Sequence, residues 1–345
     1  MTDKLVSVIL PCYNVEKYLD RCFDSIKNQT IGIENMEIIF VNDASTDGTL
    51  GCLLNYEKEY PENVLVINLE ENKKQGAARN LALNYATGRY ISFVDSDDYI
   101  DEAMYEKMIE AIEKNDCDFV QCRYDYITKN EDPMISKLFF RSCYKDLNDI
   151  TERRDFMCQH MGLVAVWDKL YKREFILDNR IYFIEGLRCE DIFFSHLVFT
   201  YANSVCSIND ILYHYCDNPL GTMGKIHETF HPDKMVVAVE YLSECLDRNI
   251  FASRKDEVEW MFLKNYYIYM LWEVFHRFED KAYEIYSKTR RNVLEWIPDY
   301  KINPYRFIPG NEFENLMLKL LDMDLNREKL DKVRLDMISK IKVPV

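Results

Sequence analysis

Three acids fall within four residues at Asp95-Ser96-Asp97-Asp98, directly after an apolar run that ends at Val94. Carboxylates at the end of a buried strand cannot stay in a core without a heavy desolvation cost, so they must face a crevice. Three such charges repel one another unless a cation joins them. One or two carboxylates plus phosphate oxygens are a common way to hold Mg2+ or Mn2+. The plainer alternative is a helix cap, in which Asp98 or Asp101 closes the helix opening at Met104 for about 1 kcal/mol. Capping accounts for one acid, not three. Asp43 ends a second apolar run, where it could accept hydrogen bonds from a base N–H or a ribose hydroxyl. It could also close a turn, which Asp47-Gly48 does better. Gln75-Gly76-Ala77-Ala78-Arg79-Asn80 opens a helix with small residues, and a helix N-terminus favours anions. Arg79 could reach a ligand there or lie on the surface. Neither the Gly-rich dinucleotide fingerprint nor a phosphate-binding loop occurs.

The elements that must position these residues alternate through the first hundred positions. Leu5–Leu10, Met36–Val41, Val64–Leu69 and Tyr90–Val94 read as strands, and Pro11 closes the first. Continuous apolar runs of this kind suit strands buried on both faces. Between them, Glu16–Asn28, Thr49–Tyr60 and Gly76–Tyr85 have helical spacing, the last stopped by Gly88. Strand and helix in alternation predict an α/β fold with a parallel sheet and right-handed crossovers. In such sheets the ligand crevice lies at the carboxyl ends of the strands. Pro11 to Asn14, Asn42 to Ser45 and Asp95 to Asp98 therefore converge on one edge. A helix over Met104–Lys114 and a strand over Asp118–Tyr126 follow, then strand-like Ile181–Ile184 and Ser204–Tyr215. From about His231 onward the pattern is helical, broken at Pro298, Pro304 and Pro309.

In order and spacing these clusters resemble the family 2 glycosyltransferases, inverting enzymes of the GT-A fold. The resemblance rests on Val6-Ser-Val-Ile-Leu-Pro-Cys-Tyr-Asn14, Asn42-Asp-Ala-Ser-Thr-Asp-Gly48, Gly76-Ala-Ala-Arg-Asn80 and Asp95-Ser-Asp-Asp98. It continues in Val166-Trp-Asp-Lys-Leu-Tyr-Lys-Arg173, where Asp168 replaces the usual Asn of bacterial capsule and exopolysaccharide members. Glu190-Asp191 resembles the family's Glu-Asp motif, and Tyr213-His-Tyr215 and Gly221-Thr-Met223 match a tyrosine-rich strand and a turn. The resemblance implies that Pro11 and Tyr13 line a nucleoside pocket, that Asp43 binds the base and that Arg79 assists it. It implies that Asp95 holds ribose and the metal shell, that Asp97 ligates Mn2+ or Mg2+, and that Asp191 is the catalytic base. Glu190 then has a structural role beside it or touches substrate. Lys169, Lys172 or Arg173 could clamp a diphosphate, and His214 could approach the metal. Trp167 could stack on a sugar ring or serve as a core residue.

The expected organisation is a GT-A domain over residues 1–225, with a nucleotide-binding half at 1–125 and an acceptor half at 126–225. A helical C-terminal appendage follows at 226–345. The expected donor is a nucleotide-diphosphate sugar, UDP-linked, and the acceptor a hydroxyl on a glycan or a lipid-linked polymer of the cell envelope. Two rivals stand beside this reading. One is a sugar-nucleotide or glycan-binding module without catalysis. The other is a nucleotidyltransferase, whose Gly-rich basic loop after the first strand is replaced here by Pro-Cys-Tyr-Asn-Val. The chain has 345 residues, 48% hydrophobic, with 43 Lys and Arg against 59 Asp and Glu, a net charge of −16. That balance opposes a general nucleic-acid binder, which needs clustered Lys and Arg. The eleven cysteines show no zinc spacing and read as reduced core thiols. No leader and no apolar run long enough to span a bilayer is read, so a cytoplasmic protein is expected. The basic stretch from Arg327 could rest on the inner face of a membrane, or be a solvated helix face. The aromatic stripe Trp260, Tyr266, Tyr267, Tyr269, Trp272 and Phe275 reads as helix–helix core. Oligomeric state is left open.

Overall fold

The computed structural model describes residues 4–127, 133–135, 143–160, 164–218, 221 and 230–341. They divide into two compact units, one of Met1–Arg153 with Leu163–Asn218, the other of Arg154–Gly162 with Pro219–Val345.

The first unit is built on one mixed sheet. Its strands are β1 (Val6–Cys12), β2 (Met36–Asn42), β3 (Val64–Asn68), β4 (Tyr90–Phe93), β5 (Tyr99–Ile100), β6 (Phe119–Ile127), β7 (Pro133–Ile135), β8 (Cys143–Asp146), β9 (Lys169–Lys172) and β10 (Ser204–Cys216). The spatial order is β3-β2-β1-β4-β9-β6-β10-β5, with β7 beside β6 and β8 beside β10. β3, β2, β1 and β4 pair in parallel, as the alternation of apolar runs and helices requires. Every residue of β1 and β4 is buried, which is why these strands read as unbroken apolar runs. Pro11 lies inside β1 rather than ending it. Pairing with β4 stops at Ile9, so the missing N–H at Pro11 breaks no ladder on that side.

The second half departs from a parallel plan. β9 enters antiparallel between β4 and β6, while β6 and β10 run parallel. Helices α1 (Leu19–Lys27), α2 (Thr49–Glu59), α3 (Lys74–Leu83), α4 (Met104–Asn115), α5 (Ile150–His160), α6 (Arg173–Asp178) and α7 (Glu190–Tyr201) complete the connections. Two glycines allow close approach. A Cβ on Gly88 would lie 2.6 Å from the Ser7 nitrogen, and one on Gly76 would lie 2.5 Å from the Ile184 carbonyl oxygen. Ile181–Ile184, expected as a strand, is instead irregular backbone. Asn80 explains why: its side chain donates to the Phe183 carbonyl and accepts from the Phe183 N–H, taking the bonds a ladder would use. Thr222 and Met223 of the expected turn lie outside the described residues.

The second unit is helical: α8 (Asp233–Asp247), α9 (Phe251–Phe262), a π-helical stretch at Leu263–Ile268, α10 (Tyr269–Arg277), α11 (Glu279–Trp296), α12 (Glu312–Leu318) and α13 (Arg327–Lys340). Trp260, Tyr266, Tyr267, Trp272 and Phe275 are buried, so the aromatic stripe is core. Lys264, also buried, pairs with Glu314 at 3.3 Å. On α13, Leu330, Arg334 and Met337 are buried, and Arg334 donates to the Phe275 carbonyl and to Glu279. That face is packed rather than free. Among the described residues no helix is long and apolar enough to cross a membrane.

Candidate active site

β1, β2 and β4 end side by side, and their following loops carry the residues singled out from the sequence. The β1 and β2 loops are tied to each other. Asn14, at a left-handed φ of 54°, accepts from the Thr46 N–H, and its own N–H donates to Ser45 Oγ. Ala44 also holds a left-handed φ of 58°, a strained geometry for a residue with a Cβ. Asp43 is buried, and its Oδ1 accepts from the Lys73 N–H at 2.7 Å at the start of α3. Pro11 is buried, with its carbonyl accepting from Ser96 Oγ, whereas the Tyr13 ring next to it is 49% exposed. An exposed ring beside a buried carboxylate is a surface on which a planar base can lie.

Arg79 is the centre of the site. Its guanidinium is buried, with one nitrogen 2.6 Å from Asp95 Oδ1 and another 2.6 Å from Glu190 Oε1. It therefore joins the end of β4 to the start of α7, elements almost a hundred residues apart. Asp191, next to Glu190, is half-buried and accepts from the Ile192 N–H. Burial, and then the Glu190 charge, push its carboxyl up to about 7, with Arg79 opposing. A carboxyl with that affinity is half-ionised near neutrality, which suits a group that must take a proton. The helix alternative for Glu190-Asp191 also holds, since both sit in the first turn of α7.

The acidic turn divides its labour. Neither Asp98 nor Asp101 caps α4 with its side chain: the N-cap is Ala103, whose N–H donates to Asp101 Oδ1 just before the helix. Asp98 is buried, and accepts from Tyr213 Oη at 2.6 Å and from the Cys216 N–H at 2.7 Å. Asp95 and Asp97 are only half-buried. Asp95 gives Oδ1 to Arg79, and Asp97 gives Oδ2 to the Asn218 amide at 2.8 Å, so each keeps another oxygen. Burial, and then the Asp95 charge, hold the Asp97 carboxyl above the usual carboxylate range. A divalent cation would relieve that crowding, and two hard oxygen donors suit Mg2+ or Mn2+. Among the described residues no three His, Cys, Asp or Glu side chains cluster for a metal, so diphosphate and water would supply the other ligands.

Other expected contacts fall elsewhere. Lys169 is buried with its ammonium 2.6 Å from Asp168 and from the Ala165 carbonyl, so it is spent inside the fold rather than in a clamp. Because β9 runs antiparallel, Lys172 pairs with Tyr90 at the amino end of β4, opposite to Asp95. Lys172 and Arg173 therefore cannot clamp a ligand at the carboxyl ends. Trp167 stacks on Tyr213, ring centroids 4.2 Å apart, rather than standing open as a sugar platform. His214 gives Nδ1 to Asp125 at 2.7 Å and stacks on Tyr99. Sequence reasoning missed Arg21, which donates to the Asp97 carbonyl, and Asn218; neither carries a motif of its own.

Known proteins resemble this chain in sequence and fold. A model of glycosyl transferase family 2 matches residues 7–176. Glycosyltransferase GlyA of Streptococcus pneumoniae is 33% identical over 225 residues, covering 62% of this chain and 31% of GlyA. Glycosyltransferase GlyG of the same organism is 31% identical over 221 residues, covering 61% of this chain and 70% of GlyG. The chain thus spans about a third of GlyA's length. Among solved structures, S. aureus TarS 1–349 superposes with a TM-score of 0.69 at 22% identity, covering 97% of this chain and 91% of that one. The same protein in complex with UDP-GlcNAc gives 0.59, over 88% of this chain and 91% of that one, also at 22% identity. The TarS likeness speaks to the fold, an α/β glycosyltransferase sheet followed by helices. With the family match and the GlyG relative, the ordered clusters from Val6 to Asp191 have one consistent explanation: the chain belongs to glycosyl transferase family 2.

Proposed function

We propose that this protein transfers a sugar, with inversion, from a UDP-linked donor to a hydroxyl of a cell-envelope glycan or polymer. The observation that carries this reading is the Arg79 bridge. It holds a diphosphate-side carboxylate, Asp95, and the neighbour of the base, Glu190, on one guanidinium. Tyr13 and Asp43 receive the nucleoside, the ring as a stacking face and the carboxylate as an acceptor. Asp95 and Asp97 would hold a divalent cation, which when bound would supply positive charge beside the diphosphate leaving group. Asp191 accepts the proton of the acceptor hydroxyl as its oxygen forms the new bond to the anomeric carbon. The bond from that carbon to the diphosphate oxygen breaks in the same displacement, and its electron pair departs with the nucleotide. Glu190 is ion-paired to Arg79 and holds that guanidinium beside the base. The donor assignment draws support from the TarS structure with UDP-GlcNAc. The envelope acceptor draws support from a further relative, the poly(ribitol-phosphate) beta-glucosyltransferase of Bacillus spizizenii, 32% identical over 212 residues that cover 61% of this chain and 32% of that protein.

The test is UDP release from UDP-GlcNAc with Mn2+, with and without acceptor glycans. Wild type releases UDP, and Asp191→Asn loses about 100-fold or more in kcat while its UDP affinity stays within about threefold. Unchanged turnover in Asp191→Asn removes the base assignment. Tight UDP-sugar binding with no release by the wild type favours the binding-module reading instead.

A further inference from the structure

The acidic turn contains a carboxylate that the proposed reaction does not use. Asp98 is 1% exposed, whereas Asp95 and Asp97 are half-buried. Both of its oxygens are engaged by β10: Tyr213 Oη donates to Oδ2 at 2.6 Å, and the Cys216 N–H donates to Oδ1 at 2.7 Å. The same Tyr213 hydroxyl accepts from the Asp95 N–H at 3.2 Å. One hydroxyl thus links the first and last residues of Asp95-Ser96-Asp97-Asp98, donating to one and accepting from the other. Behind it, the Tyr213 ring is buried and held by Trp167, stacked at 4.2 Å with an interplanar angle of 20°. Ser96 fixes the middle of the turn by donating to the Pro11 carbonyl at 2.8 Å. What remains for a ligand is Asp95 and Asp97.

We infer that Tyr213, backed by Trp167, is a positioning residue for the divalent-cation site: through Asp98 and the Asp95 N–H its hydroxyl sets the spacing of Asp95 and Asp97, and Asp98 is an anchor rather than a ligand. This rests on the reading that Asp95 and Asp97 hold the cation. The physical reason is rigidity. Two carboxylates brought together before the cation arrives repel each other, and a turn free to relax would part them. A buried hydroxyl with both a donor and an acceptor role resists that movement, because either bond broken leaves a buried polar group unsatisfied. Placement of the ligands is where supporting groups of this kind act on metal affinity.

The experiment is Mn2+ binding in the presence of UDP, read by the loss of the free-Mn2+ electron paramagnetic resonance signal, with thermal unfolding of each variant alongside. Tyr213→Phe keeps the ring and its stack but loses the hydroxyl. It weakens Mn2+ binding about tenfold or more. Asp98→Asn removes the charge and keeps the shape and one acceptor oxygen for the Cys216 N–H, while its amide reverses the other bond by donating to Tyr213 Oη. The link survives, and the loss of Mn2+ affinity stays well below that of Asp97→Asn, since an anchor needs hydrogen bonds and a ligand needs charge. Asp97→Asn is the control for the underlying reading and abolishes the binding. If Asp97→Asn binds Mn2+ like wild type, the cation reading itself fails. If Asp97→Asn fails to bind while Tyr213→Phe binds like wild type, even with a lower melting temperature, the positioning role is overturned. A loss in Asp98→Asn as large as in Asp97→Asn makes Asp98 a ligand and also overturns it. Should Tyr213→Phe not fold, Asp98→Ser removes the acceptor from the other side of the same bond, and wild-type Mn2+ affinity in that variant refutes the inference.

Discussion

At the residue scale the chemistry turns on how one buried cation is shared. Arg79 compensates Asp95 and Glu190 at once, and both would otherwise face a desolvation cost without a partner. Arg79→Met should therefore destabilise the protein by about 3 kcal/mol at neutral pH, because it strands two carboxylates in a poorly solvated place. Urea unfolding of both proteins at pH 7 measures this, and a variant as stable as wild type would contradict it. Arg79→Lys should not rescue the protein, since one ammonium cannot reach two carboxylates in the forked geometry of a guanidinium. Asp191 gives a second prediction. With its carboxyl pushed up to about 7 and the ionised form required, kcat/KM should fall about tenfold per pH unit below that point. Asp191→Glu should shift this limb, whereas a flat profile between pH 5.5 and 8 would separate Asp191 from the proton transfer.

At the element scale, the first four strands were legible in the sequence for a physical reason. A strand buried on both faces must be apolar throughout, and β1, β2 and β4 carry that pattern with little interruption. The strand-end rule then located Asp43 and Asp95 to Asp98 without knowledge of the sheet order. What the pattern could not reveal is pairing. β9 is four residues long and β5 two, too short for a periodic signal, and the antiparallel insertion of β9 put Lys172 and Arg173 at the far edge. Ile181–Ile184 has the composition of a strand, yet Asn80 binds its backbone and leaves it irregular. Tyr213 was flagged only as part of a tyrosine-rich strand, and Asn218 not at all, because they contact the acidic turn from more than a hundred residues away. The seam between α3 and the chain before α7 yields an element-scale prediction. Gly76 faces the Ile184 carbonyl and the Glu190 Cβ, and a new methyl there would clash with backbone at 2.5 Å. Gly76→Ala gains helix propensity of about 1 kcal/mol but must displace residues 184–190. The expected result is a kcat reduced at least tenfold with UDP affinity nearly unchanged, because the displaced element carries the base and not the nucleoside pocket. Equal losses in both would place the seam's effect on the donor instead.

At the scale of the whole molecule, a net charge of −16 meets an anionic nucleotide at a site holding Asp43, Asp95, Asp97, Asp98, Glu190 and Asp191. Arg79 neutralises part of that charge, and its guanidinium is already committed to two of the acids. Nucleotide and cation should therefore bind as a cooperative pair, each reducing the repulsion that the other would meet. UDP at 100 times its dissociation constant with Mn2+ present stabilises the folded protein by about 2.7 kcal/mol, which raises the melting temperature by several degrees. The same UDP concentration in EDTA should shift it by less than about one degree, since the fraction bound collapses without the cation. Hydrogen exchange then shows where the stabilisation is spent. With UDP and Mn2+, protection should rise in peptides covering residues 9–14, 42–47, 72–80, 94–99 and 213–218, all of them in the first unit and at its strand ends. Peptides from the helical core of the second unit, around the buried Trp260 and Tyr267, should not change. A melting shift of equal size in EDTA removes the cation from donor binding. Protection confined to residues 230–341 would move the nucleotide away from the sheet edge altogether, and with it the role assigned here to every acid in the first unit.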